Sequence, residues 1–167
     1  MGFSNHTGER DRVLLVDDEV HLTHLWRLIL EGTGRYEVRE ENQGMRVLQT
    51  ARAFRPDLVF LDCQLNDTDG SKVAAALHAD PELRDVPIVF VTGSVTQDQA
   101  HLQGVPTLAK PFNSDTMPRL ASAVLEKHRL AKNLGLGKDV GDRLRSSHKI
   151  EARDQIPKFR RSIAASY

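Results

Sequence analysis

Five residues carry side chains that could act together on a charged group: Asp17, Asp18, Asp62, Thr92 and Lys110. Each stands at or just past the end of a short apolar run. Val13-Leu14-Leu15-Val16 leads into the acid pair, Leu58 to Leu61 into Asp62, Ile88 to Val91 into Thr92, and Pro106 to Ala109 into Lys110. Carboxylates brought together repel, and at an effective dielectric of about 20 one pair about 4 Å apart costs on the order of 4 kcal/mol. A cation relieves that repulsion. Mg²⁺ takes oxygen ligands, keeps several waters and bridges carboxylates to phosphate oxygens. Lys110 adds a second positive charge and Thr92 a hydroxyl donor. Such a set suits a dianionic group held beside a carboxylate, and an Asp carboxylate is itself a nucleophile toward phosphorus, giving an acyl phosphate. Catalysis would then rest on positioning and on neutralising the charge of the transferring group.

The elements that must position these residues alternate along the chain. The apolar runs before the acids, Thr92 and Lys110 read as strands buried on both faces. A further short strand is expected from Tyr36 to Arg39. Between strands, apolar residues recur at helical spacing: Leu22, Leu25, Trp26 and Ile29 before Gly32 and Gly34; Met45, Val47, Leu48, Ala51 and Phe54 before Pro56; Val73, Ala74 and Leu77 beyond Gly70. A weaker helix is expected around Gln97–Leu102, and a final one carries Leu120, Ala121, Val124, Leu125 and His128. Five β-α alternations imply a doubly wound parallel sheet with helices on both faces. In such a sheet the C-terminal strand ends meet at one crevice, so residues far apart in sequence share a site.

Composition sets the outer limits. The chain has 167 residues, 40% apolar and 28% charged, as in an ordinary globular domain. The formal net charge is zero but unevenly spread: from Lys132 onward there are nine Lys/Arg against four Asp/Glu, leaving a net −5 before it. The basic stretch, punctuated by Gly135, Gly137, Gly141 and Pro157, reads as a tail and not a second domain. Val140 and Leu144 could form one apolar edge of a short docking helix. Few aromatics and interspersed acids argue against a nucleic-acid reader there. The single cysteine, Cys63, fits a reducing cytoplasm. The polar N-terminus lacks a secretory pattern, and no apolar run is long enough to span a bilayer.

Taken in order, RVLLVDDE, LVFLD with Asp69-Gly70 following, VTG and AKPF resemble the signature segments of bacterial receiver domains of two-component response regulators. The resemblance covers residues 11–131, with 1–10 as a flexible N-terminus and 132–167 as the basic tail. It implies a flavodoxin-like α/β fold with a five-stranded parallel sheet in the order 2-1-3-4-5. It implies Asp62 as phosphoacceptor, and Asp18, Asp62 and the Gln64 carbonyl as Mg²⁺ ligands, with Asp17 reaching the metal through water. Thr92 and Lys110 would bind the phosphoryl group, as would the backbone amides of Cys63 and Gly93. Pro111 would follow a cis peptide bond, and Gly70 would be the turn glycine. The implied partners are a sensor histidine kinase or histidine phosphotransferase and an unidentified downstream protein. No nucleic acid and no membrane insertion are expected, and the location is cytoplasmic. Output would come through protein contacts or onward relay.

Three positions depart from the family pattern: Asn66 replaces a common proline, Thr107 replaces the aromatic that usually moves with the Thr, and the stretch from Thr92 to Lys110 is short by about one helical turn. Two other readings compete. One is a binding module on the same fold that works without phosphorylation. The other is an aspartyl-nucleophile hydrolase, disfavoured because Gln64 stands where such enzymes carry a second acid. His21 and His24 read as surface or structural residues, since nothing completes a zinc set. Trp26 reads as core and Cys63 as a small buried side chain. Gln64 and Ser94 flank the site where water would attack an acyl phosphate.

Overall fold

The computed structural model describes residues 9–93 and 105–135. Five parallel strands, β1 (Asp11–Val16), β2 (Tyr36–Glu41), β3 (Leu58–Asp62), β4 (Ile88–Thr92) and β5 (Thr107–Ala109), form one sheet in the order β2-β1-β3-β4-β5. The helices are α1 (Val20–Glu31), α2 (Val47–Phe54), α3 (Gly70–Ala79) and α4 (Thr116–Asn133). The parallel sheet expected from the strand-helix alternation, in the flavodoxin-like order that the resemblance implied, is the one observed. The helix expected at Gln97–Leu102 lies outside the described residues, as do Ser94, Val140, Leu144 and all of the chain beyond residue 135.

The central strands are apolar without interruption because both faces are covered. Along β1, Val13 and Leu15 face a cluster closed by Trp26 and Leu30 of α1 and by Met117, Ala121 and Leu125 of α4. Leu14 and Val16 face the opposite cluster, closed by Val47, Ala51 and Phe54 of α2 and by Val73, Ala74 and Leu77 of α3. Phe60 divides in the same way from its neighbours Val59 and Leu61 on β3. Edge strand β2 alternates buried and exposed only from Tyr36 to Arg39 and ends on the acids Glu40 and Glu41, so its sequence looked shorter than it is, and the ladder with β1 continues to Glu41.

Two apolar residues that shared a helical spacing with the core stripe do not join the core. Leu25 is half exposed on α1, and Met45 is 76% exposed in a 3₁₀ turn, Gly44–Arg46, that precedes α2. The last helix begins before Leu120 and runs through Asn133. An ion pair between Arg129 and Asp11 ties it back to the start of β1.

Helix α3 starts where it does for two local reasons. The Asp69 side chain accepts a hydrogen bond from the Ser71 amide at 2.8 Å, a cap for one orphan donor of the first turn. Gly70 lies against the end of β3, donating its N–H to the Cys63 carbonyl at 3.0 Å. A Cβ at Gly70 would collide with the carbonyl oxygen of Asp62, which is backbone and cannot swing away. Gly70→Ala is therefore expected to destabilise the fold by roughly 1–3 kcal/mol, the usual range for forced overpacking. Urea unfolding measures this, and an unchanged midpoint would contradict the close approach.

Candidate functional site

Parallel strands deliver their C-terminal ends to one edge, and the five candidate residues meet there. Asp17 and Asp18 follow β1 directly, Asp62 and Thr92 are the last residues of β3 and β4, and Lys110 follows β5. One carboxylate oxygen from each of Asp17, Asp18 and Asp62 lies within 4.8 Å of the others. It is the sole grouping of three or more potential metal-ligating side chains among the described residues. Lys110 crosses the cluster: its Nζ donates to Asp17 Oδ2 at 2.6 Å and to Asp62 Oδ2 at 2.8 Å. The Lys110 stem is steered by the peptide before and the ring behind it. Its N–H donates to the Thr92 carbonyl at 2.7 Å, and its ammonium sits 5.3 Å from the Trp26 ring centroid. Trp26 in turn packs on Phe112, with ring centroids 5.5 Å apart. The Lys110–Pro111 peptide is cis, as the resemblance implied.

The remaining oxygens of the two inner carboxylates are held by the backbone. Asp17 Oδ1 accepts from the Glu19 amide at 2.9 Å, and Asp62 Oδ1 accepts from the Gln64 amide at 3.0 Å. Gln64 was expected to contribute a carbonyl; it is exposed and bridges to Asp69 across the loop. Cys63 is a correction. Its amide was expected to face a bound anion, but it donates to the Val91 carbonyl at 3.0 Å, continuing the β3–β4 ladder. The amide that turns toward the Asp62 carboxylate is the next one, on Gln64. Gly93 follows Thr92 in the exposed part of the edge, with open space where a side chain would project. Thr92 itself is buried. Thr107 is exposed at the start of β5, beside Phe90 of β4.

His21 and His24 do not join the cluster. His24 lies exposed with Nδ1 3.8 Å from Glu40 Oε1. Sequence reasoning passed over Asn42, just past β2 on the same sheet edge, whose amide donates to the Asp17 carbonyl at 2.6 Å. Its position after a strand is the signal that would have found it. A cleft of about 490 Å³ opens beside the start of β1. Its Arg12 and Asp57 already pair with each other, through the Arg12 amide at 2.8 Å, and its lining mixes acids with the arginines Arg10, Arg12 and Arg39.

Electrostatically the cluster is short of positive charge. Burial raises the Asp17 carboxyl to about 6, since the Lys110 and Glu19 hydrogen bonds only partly offset desolvation and the neighbouring Asp62 adds to it. Burial pushes the Lys110 ammonium down, but its hydrogen bonds to Asp17 and Asp62 outweigh this and hold it above its ordinary value. For an acid whose folded pKa exceeds its ordinary 3.8, the folded state binds the proton more tightly. Asp17 therefore weighs against folding above pH about 6, and that penalty fades as the pH falls toward 4. A carboxyl NMR titration of the metal-free protein is expected to give an Asp17 midpoint near 6, moving downward in Asp62→Asn. A midpoint near 3.8 in the wild type would contradict the account of this pocket.

The donor set fits a hard divalent cation: carboxylate oxygens only, one acid fully buried, and a net negative charge left after Lys110.

The profile of the response regulator receiver domain family matches residues 13–122. The chain is 31% identical over 121 residues to the DNA-binding dual master transcriptional regulator RpaA of Synechocystis sp., an alignment covering 70% of this chain and 49% of that protein. It is 38% identical over 80 residues to the polar-differentiation response regulator DivK of Brucella anthropi, covering 48% of this chain and 64% of that one. The matched region thus spans about half of the first relative and under two thirds of the second. The receiver domain of a sensor histidine kinase from Pseudomonas aeruginosa PAO1, solved with a magnesium ion coordinated in its active site cleft, superposes with a TM-score of 0.65 at 27% identity. That superposition covers 71% of this chain and 99% of the other.

Proposed function

The chain belongs to the response regulator receiver domain family, and on that premise we propose that Asp62 accepts a phosphoryl group from the phosphohistidine of a sensor histidine kinase or a histidine phosphotransferase. Phosphorylation on an aspartate and Mg²⁺ in an acidic site are general features of receiver domains. The observation that supports placing them here is the Lys110 ammonium, which bonds Asp17 and Asp62 at 2.6 and 2.8 Å with Asp18 in the same cluster.

In this reading an Asp62 carboxylate oxygen attacks phosphorus, a P–N bond to the donor imidazole breaks, and an acyl phosphate forms. The imidazole leaves with the electron pair of that bond. Asp18, Asp62 and the Gln64 carbonyl would hold Mg²⁺, with Asp17 behind them through water. The bound cation supplies neutralisation of the phosphoryl oxygens. Lys110, freed from one of its two carboxylate partners, pairs with the incoming phosphoryl oxygens. The Thr92 hydroxyl and the Gln64 and Gly93 amides are donors to the same group. Gln64 takes here the part that sequence comparison had assigned to Cys63, because its amide is the one directed at the Asp62 carboxylate.

Output is proposed to run through protein contacts or onward transfer of the phosphoryl group, in the cytoplasm. Thr107 favours relay or an unusual contact face, since an exposed threonine replaces the aromatic that would report the state of Thr92 to a partner surface. No helix among the described residues is long and apolar enough to cross a membrane.

Intact mass spectrometry after incubation with acetyl phosphate tests the proposal. The wild type is expected to gain one phosphoryl group only when Mg²⁺ is present, and Asp62→Asn to gain none. A gain that persists in Asp62→Asn would overturn the assignment. So would a wild type left unmodified both by acetyl phosphate and by a phosphorylated histidine kinase.

A further inference from the structure

The two loops that carry the acid cluster are both fastened to the short connection between β2 and α2. On the β1 side, Asn42 Nδ2 donates to the Asp17 backbone carbonyl at 2.6 Å and to Thr23 Oγ1 at 3.0 Å. A backbone carbonyl only accepts, so the amide nitrogen must face it. Thr23, fully buried on α1, donates a hydrogen bond to Glu40 Oε2 at 2.6 Å, and Glu40 is paired to Arg27 at 3.0 Å. Both N–H groups of the Asn42 amide are thereby engaged.

On the β3 side, Asp67 reaches across to the same connection. Its Oδ1 accepts from the Gly44 amide and its Oδ2 from the Met45 amide, each at 3.0 Å. The loops approach so closely that a Cβ at Gly44 would collide with the Thr68 methyl. Within its own loop, Leu65 donates to the Thr68 carbonyl at 3.2 Å and Gln64 pairs with Asp69, so a hold on Asp67 is a hold on Gln64.

We infer that residues Asn42 to Met45 form a clamp that sets the separation of the two acid-bearing loops, with Asn42 and Asp67 as positioning residues for the divalent cation. The inference rests on the reading of the acid cluster as a Mg²⁺ site. The β1–β3 ladder fixes the strands only to Val16 and Leu61, and the ligating groups lie at or beyond those ends. The clamp bridges the loops where the ladder has stopped. Groups that orient a metal site from outside its ligand set typically change metal affinity about 10–100-fold when removed.

The test is a Mg²⁺ titration of the full chain, read by fluorescence of Trp26, the sole tryptophan, whose ring lies 5.3 Å from Lys110 Nζ. Wild type, Asn42→Ala and Asp67→Asn are compared below their unfolding transitions. The titrations are run in about 1 M NaCl, where the Debye length is about 3 Å, so that loss of the Asp67 charge at a distance is screened. Asp67 is on the surface, so its variant remains available if Asn42→Ala is too unstable to titrate. Each variant is expected to bind Mg²⁺ about tenfold more weakly than wild type. A dissociation constant within twofold of wild type in either variant would overturn the clamp, while leaving the cation site standing. A wild type that binds no Mg²⁺ would instead remove the site and the clamp together.

Discussion

One ammonium group stands between two carboxylates at the C-terminal edge of the sheet, and the arrangement around it follows from that. Asp17 is fully buried, and a buried carboxylate needs a counter-charge or a proton. Lys110 supplies the charge at 2.6 Å and gives a second hydrogen bond to Asp62 at 2.8 Å. It bonds two acids of a cluster of three and neutralises one charge. The remainder shows in the Asp17 carboxyl, which is driven to about 6 even with the lysine in contact. A site in this condition gains from any cation that can enter it, and from any step that lets Lys110 move to a more highly charged partner. Those are the demands of a phosphoryl-accepting aspartate.

Holding like charges together requires a rigid frame, and the frame is the parallel sheet with both faces covered. Residues of β1 and β3 alternate between two apolar clusters, so neither strand can slip by one residue without exposing half of its core to the wrong side. The strand ends are thereby fixed, and with them Asp62 and the start of the Asp17–Asp18 loop. Beyond the ends the backbone takes over. The Glu19 and Gln64 amides fold back on the two inner carboxylates, Gly70 allows α3 to begin against the Asp62 carbonyl, and the β2–α2 connection grips both loops.

The sheet and the five side chains were legible in the sequence because buried parallel strands are uninterrupted apolar runs, and the chemistry stands where each run stops. Edge strand β2 was harder: Glu37 and Arg39 alternate with buried residues and two acids, Glu40 and Glu41, follow, so the run seemed to end two residues early. Leu25 and Met45 matched a helical spacing yet face solvent, since spacing alone does not say which side of an amphipathic turn meets the sheet. The choice between Cys63 and Gln64 depended on where the β3–β4 ladder ends. The register pairs Asp62 with Val91, which takes the Cys63 amide into the ladder and leaves the Gln64 amide for the carboxylate. Asn42 and Asp67 carry no signature of their own, because the loop contacts they make are to backbone groups 25 residues away in one case and 22 to 23 in the other.

The most direct measurement of the charge imbalance is the unfolding free energy as a function of free Mg²⁺, against NaCl of matched ionic strength. A cation that binds the folded cluster and not the unfolded chain is expected to raise stability by about 1.4 kcal/mol per tenfold increase in Mg²⁺ above its dissociation constant. A stability that Mg²⁺ changes no more than the matched salt does would mean that Lys110 alone satisfies the cluster, and would contradict the account.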